Sequence, residues 1–172
     1  MQTNESKKIS IRDIAVLSVF GVIIYISKVV LEFLPNFHLI TMFIITLTVV
    51  YRAKALISIY VFVFLIVYMN GLSLWTIPYF YIWLFPFILT LLLPRNLPDK
   101  ISAICWTVIA VLHGFLYGTL FAPFQSFAFG LSFKATIAWI ITGLPWDLVH
   151  GISNGLVSLL ILPLVKLLKK IT

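Results

Sequence analysis

Asp147, His150 and Asn154 recur at spacings of three and four, so a helix carries them as one stripe. An acid, an imidazole and an amide on a single face offer two chemistries. They could hold a polar solute by hydrogen bonds, or the acid and imidazole could work as an acid–base pair. Asp147 follows Pro145 closely, and near a helix N-terminus the dipole and free amides stabilise a carboxylate, so capping also accounts for it. His150 and Asn154 lie one and two turns deeper, where capping no longer serves. Hydrogen bonds to a neighbouring helix and contacts to a ligand are both open for them. A second ionisable pair, Lys28 and Glu32, is four residues apart and shares a helix face. Lys28 could snorkel outward as a neutralised interfacial pair, or the two could line an external polar cavity.

The third group is aromatic. Trp75, Tyr79, Phe80, Tyr81 and Trp83 fall within nine positions, with Tyr68 and Asn70 just before them. Interfacial belts of Trp and Tyr account for most of these singly. Together they would also form a rigid amphipathic wall for a large flat ligand, which Gln125, Trp139 and Trp146 could close from the other side. No GxxxxGK[ST], HExxH, Cys–His cluster or GxSxG occurs. P-loop ATP binding, zinc proteolysis and serine hydrolysis therefore have no support. Intramembrane charges are also too few for an ion-coupled transport relay.

The elements that must position these groups are apolar. The chain is 62% hydrophobic and 10% charged, and a membrane span needs about 20 apolar residues, so its 172 residues accommodate about six helices in a single membrane domain, all-α. Spans are expected near 12–34, 37–51, 53–69, 75–93, 101–121 and 146–168, with 1–11 a cytoplasmic leader and 122–145 an external loop and partial helix. Residues 134–144 are either interfacial or an outer extension of a kinked sixth helix. Pro35, the Asn70-Gly71 turn, the Pro94–Lys100 stretch and Pro123 mark the breaks, and Pro86 predicts a kink within the fourth span. No small-residue cleavage site follows the leader, so the first span is read as retained.

Ten of the twelve Lys and Arg residues then fall on one side: Lys7, Lys8, Arg12, Arg52, Lys54, Arg95, Lys100, Lys166, Lys169 and Lys170. Short basic loops stay cytoplasmic, which puts both termini inside and leaves only Lys28 and Lys134 opposite. The net charge of +7 thus reflects topology and anionic-lipid contact and not nucleic-acid binding. Gly114/Gly118 and Gly151/Gly155 form two GxxxG patterns, suited to close helix packing within the chain. Cys105 is alone, so no intrachain disulfide forms.

Six apolar helices in about 170 residues, a basic leader running into the first, a short second helix and the run from Pro145 to Asn154 resemble the S component of energy-coupling factor (ECF) vitamin transporters. The resemblance covers the whole chain in layout. It implies a multi-pass subunit of a prokaryotic plasma membrane that captures a vitamin from outside and has no intrinsic cofactor. Its partners would be a membrane T component and two cytoplasmic ATPases, which hydrolyse ATP for it. It also implies that small residues on the first helix contact the T component. Ala15, Ser18 and Gly21 stand at that surface here, with Val19 where a second small residue would fall. The aromatic fourth helix and the Asp147 stripe look most like the lactobacillal S components assigned to cobalamin, and His150 or His38 could approach its cobalt. Riboflavin and pantothenate are alternatives. A small lipid-modifying enzyme using Asp147 and His150 and an assembly subunit without ligand are the competing classes.

Overall fold

The computed structural model describes residues 9–171; Lys7 and Lys8, with most of the basic leader, lie outside the described residues. Every regular element among the described residues is helical: α1 (Ile11–Val30), α2 (Ile40–Tyr51), a 3-10 turn (Arg52–Ala55), α3 (Leu56–Asn70), α4 (Tyr79–Ile82), α5 (Leu84–Leu92), α6 (Asp99–Phe115), α7 (Tyr117–Phe129), α8 (Phe133–Ser158) and α9 (Ile161–Ile171). Three stretches are long and apolar enough to cross a membrane: Ile11–Val30, Ile40–Asn70 and Asp99–Phe129. A fourth arises when α8 and α9, bent by 46°, count as one. Tyr79–Leu92 is a shorter apolar helix.

The stretch from Ile40 to Asn70 is not a rod. The rings of His38 and Phe62 both lie 5.8 Å from that of Trp83. A continuous helix would hold residues 24 positions apart about 36 Å from each other. The chain therefore doubles back, and it does so at Arg52, whose φ of 55° is the left-handed geometry that a reversal needs. A capping box starts α1: the Ser10 hydroxyl accepts from the Asp13 amide and the Asp13 carboxylate accepts from the Ser10 amide. Asp13 also pairs with Lys54 at 2.7 Å. From there α1 and α3 run parallel, with the Ser58 hydroxyl donating to the Leu17 carbonyl and Gly21 against Val61. A Cβ on Gly21 would stand 2.7 Å from Val61 and 2.9 Å from the Ser58 carbonyl oxygen. Gly21 is thus an internal contact, contrary to its expected place on a partner surface. Ala15 is exposed on α1, and Ser18 is half-buried.

Between these layers lies α2, which is buried on nearly all sides, as its apolar composition all round requires. One face joins the core of Leu17, Ile24, Phe62 and Trp83; the other joins Trp106, Val157 and Ile161.

The largest departure from expectation is at 122–145. Instead of an external loop, α7 runs on to Phe129, a tight turn at Gly130 (φ 59°) follows, and α8 begins at once, its Ser132 hydroxyl accepting from the Ala135 amide. Pro123 and Pro145 lie inside α7 and α8. Apolar surroundings offer the backbone no water, so helix persists through proline where a neighbouring helix packs against it. The bends fall elsewhere. Pro86 and Pro163 each displace the carbonyl four residues back, and the chain breaks at Trp83 and at Leu159–Leu160.

Together, α6 and α7 pair antiparallel with α8 from Thr107 to Ser126: Thr107 with Ser158, Val111 with Gly155, Gly114 with Gly151, Gly118 with Asp147, and Ser126 with Thr136. The two GxxxG patterns therefore meet at one glycine of each, Gly114 against Gly151. A Cβ on Gly114 would sit 2.6 Å from the Gly151 backbone, whereas one on Gly143 would meet nothing within 4 Å. The same substitution should act with opposite sign at the two sites. Gly143→Ala should stabilise by about 0.5–1 kcal/mol through helix propensity. Gly114→Ala should destabilise by about 1–3 kcal/mol through overpacking. Unfolding titrations of the purified variants in detergent read both.

Candidate functional site

All three histidines of the chain meet inside the bundle. His38 comes from the segment leading into α2, His113 from the last turn of α6 and His150 from the middle of α8. The Nε2 atoms of His38 and His150 are in direct contact, with ring centroids 4.4 Å apart. His113 stands 6.5 Å from His150. The cause is the backbone approach of α6 to α8: His113 and His150 immediately precede Gly114 and Gly151, whose contact draws the two imidazoles inward.

Aromatic rings surround this cluster. Trp83 is fully buried, 5.3 Å from His113 and 5.8 Å from His38, and Tyr117 lies 4.4 Å from His150. Tyr79 and Phe121 extend the wall one turn further, and Gln125, also buried, continues the stripe that runs through His113, Tyr117 and Phe121 at intervals of four.

Hydrogen bonding divides these groups into two sets. The Asn154 amide donates to the Ala110 carbonyl at 3.0 Å and reaches Thr41 Oγ1 at 3.4 Å, and Thr41 bonds His113 Nδ1 at 3.0 Å. Ser153 donates to the Asn36 carbonyl at 2.7 Å. The carboxylate of Asp147 accepts the Gly118 amide through both oxygens, at 3.0 and 3.1 Å. Gly118 lies in the first turn of α7, just past the α6–α7 break, so Asp147 caps a neighbouring helix and not its own, which begins 14 residues earlier at Phe133. These groups are satisfied. By contrast, Trp83 Nε1 and Gln125 Nε2 are buried with no partner among the described residues; His38 Nδ1 and His113 Nε2 make no well-aligned hydrogen bond, although the backbone carbonyls of His38 itself and of Ile82 lie near these rings. A buried polar atom left unpaired costs about 1–3 kcal/mol. No set of His, Cys, Asp and Glu among the described residues has a metal-holding arrangement.

The expected residues separate accordingly. Trp83, Tyr79, Gln125, His150 and Asn154 belong to the cluster or its support. Tyr81 donates through its hydroxyl to the Leu120 carbonyl and braces α4 against α7. Lys28 and Glu32 pair with each other at 3.1 Å; Glu32 is exposed, while Lys28 is partly buried and lies near enough to His38 to act on it electrostatically. Tyr68 and Trp75, 83% and 65% exposed, lie with Asn70 at the far end of α3 and the turn after it. Trp146 is exposed as well, and Trp139 packs on the core edge. Sequence reasoning passed over His113, Tyr117 and Thr41. A lone imidazole within the apolar run of α6 was the signal available for the first; the other two have none without the fold.

No protein-family model, curated protein or solved structure matches this chain.

The capping role of Asp147 predicts an ordering. Asp147→Ala, which leaves the Gly118 amide without its acceptor, should destabilise by about 1–3 kcal/mol. Asp147→Asn, which keeps one carbonyl oxygen, should cost less than about 1 kcal/mol. Unfolding midpoints of the two variants compared in the same detergent check it.

Proposed function

We propose that this chain is the substrate-binding membrane subunit, the S component, of an ECF-type vitamin importer, and that the histidine–tryptophan cluster is where the vitamin binds. The observation that carries the reading is the convergence of His38, His113 and His150 with the fully buried Trp83, whose Nε1 has no partner among the described residues. Solute sites are concave, mostly apolar and aromatic, with a few placed polar groups, and this cluster has that composition.

In the topology we propose, six spans cross the plasma membrane: α1, α2, α3, α4 with α5, α6 with α7, and α8 with α9. The reversal at Arg52 supports separating α2 from α3, and the basic residues support cytoplasmic termini. Counted along α6 from Asp99, His113 then lies about 21 Å above the inner face, in the outer half of a core about 30 Å thick. A solute arriving from outside would meet Gln125 and Tyr79 before the histidines. Transport would need the T component and two ATPases as partners. The exposed face of α1 around Ala15 and Ser18 is the contact we assign to the T component, with Gly21 behind it holding α1 to α3.

As for the occupant, cobalamin, whose fringe of amides suits an aromatic wall with a few polar groups, is the first candidate, and riboflavin and pantothenate are the alternatives. Asp147 commits both carboxylate oxygens to Gly118, which counts against an acid–base pair with His150 and hence against a lipid-modifying enzyme.

Calorimetry of the purified chain against riboflavin, cobalamin and pantothenate tests the proposal. One vitamin should bind one to one. Trp83→Phe, which keeps a ring and removes the Nε1 donor, and His150→Ala should each weaken it at least tenfold, about 1.4 kcal/mol. Tyr68→Ala should leave it unchanged. Absence of binding by a folded chain, or equal affinity in all three variants, would contradict the reading.

A further inference from the structure

A second polar concavity lies at the opposite end of α2 and α6, independent of the vitamin-binding reading. Arg52 is 14 residues from His38 and Asp99 is 14 residues from His113, so it opens about 20 Å from the cluster. It encloses about 380 Å³ between the end of α2, the α5–α6 connection and α9. Arg52, Arg95, Lys166 and Lys169 line it, against the single acid Asp99, so four positive charges less one negative leave +3. Asp99 is committed to Lys166 at 2.6 Å, and no carboxylate pairs with Arg52, Arg95 or Lys169 among the described residues.

Two features distinguish this from a basic loop that merely sets topology. Topology requires charge near the membrane, not a cavity between helices. Nor does it require Arg52 to adopt a left-handed backbone, which is uncommon outside glycine and costs about 1–3 kcal/mol. That backbone brings the guanidinium to the cavity wall, where one Nη donates to the Leu91 carbonyl and the Nε is buried without a partner. The N-terminus of α6 also lines the space through Asp99 and Ser102, and its N-cap, Pro98, contributes no side-chain cap. First-turn amides there favour a negative group. The remaining wall is apolar but for Thr90, and includes Trp106 of α6 and Val165 of α9.

We propose that this cavity binds a phosphate group. Arginine presents its donors as a planar fork that matches phosphate oxygens two at a time, and Lys169 adds a point charge. The apolar wall would seat whatever carries the phosphate. The group would come either from an anionic phospholipid head or from a free phosphate in solution, and basic pockets between membrane helices take lipid heads in this way.

The full chain reconstituted in phosphatidylcholine nanodiscs distinguishes these sources. Its thermal unfolding midpoint is read as phosphatidylglycerol replaces phosphatidylcholine, and separately as inorganic phosphate is added at constant ionic strength. A saturable rise of a few degrees is expected, since a ligand bound only by the folded state stabilises it. A rise with phosphatidylglycerol alone assigns the site to a lipid head, and a rise with inorganic phosphate assigns it to the free anion. The double variant R95Q/K169Q should lose the response. K100Q/K170Q, which removes two charges outside the cavity lining, should keep it. The single Lys169→Gln, on the exposed last turn of α9, should at least halve the response and serves if the double variant misfolds. No saturable rise in either arm, or equal loss in both double variants, overturns the proposal.

Discussion

The backbone contact between Gly114 and Gly151 is the constraint on which the interior depends. Two helices in lipid gain nothing from burying apolar surface against each other, so they associate where small residues let backbones approach and where polar groups find partners across the gap. Here the same approach does both. It sets Gly118 under the Asp147 carboxylate and Thr107 beside Ser158, and it turns the adjacent His113 and His150 into the bundle. Polar pairs flank the glycine contact above and below, which holds the register along about 30 Å of paired helix. Without that register the stripe of α8 would face lipid.

A second dependence runs through α2. Being short and buried, it packs against both halves of the core, and its N-terminal end delivers His38 and Thr41 to the cluster while its C-terminal end delivers Arg52 to the basic cavity. The two concavities are therefore opposite ends of one central element. The proline-induced break at Trp83 contributes in the same way: by ending α4 there, Pro86 sets the indole into the bundle between His38 and His113, where a straight helix would continue the interfacial wall.

Much of this is legible in the chain before folding. Helical content, apolar spans, the Asp147–His150–Asn154 stripe and the pairing of Lys28 with Glu32 follow from spacing alone, because they are local. What escapes is pairwise. That Asp147 caps α7 requires knowing that α7 exists, and Pro123 and Pro145 read as stops because proline breaks helices in water, where the freed carbonyl is readily solvated. Pro163, unnoticed in an apolar run, stands just past the 46° bend between α8 and α9. Gly21 resembles a partner surface only until α3 is laid against it. The aromatics divide by the break at Trp83, so Trp75 stays outside while Trp83 becomes the centre, a difference that composition does not carry.

Convergence of the three imidazoles tests the account most directly, since it requires the glycine contact, the reversal at Arg52 and the register of α8 all at once. Solid-state NMR of the chain labelled only at histidine, in nanodiscs, reads it through ring-to-ring dipolar correlations. Cross-peaks joining His38 to His150 and His113 to His150 are predicted, and both should vanish when Gly114 is replaced by leucine. Three isolated histidine spin systems in the folded parent chain would contradict the shared cluster and the binding site assigned to it.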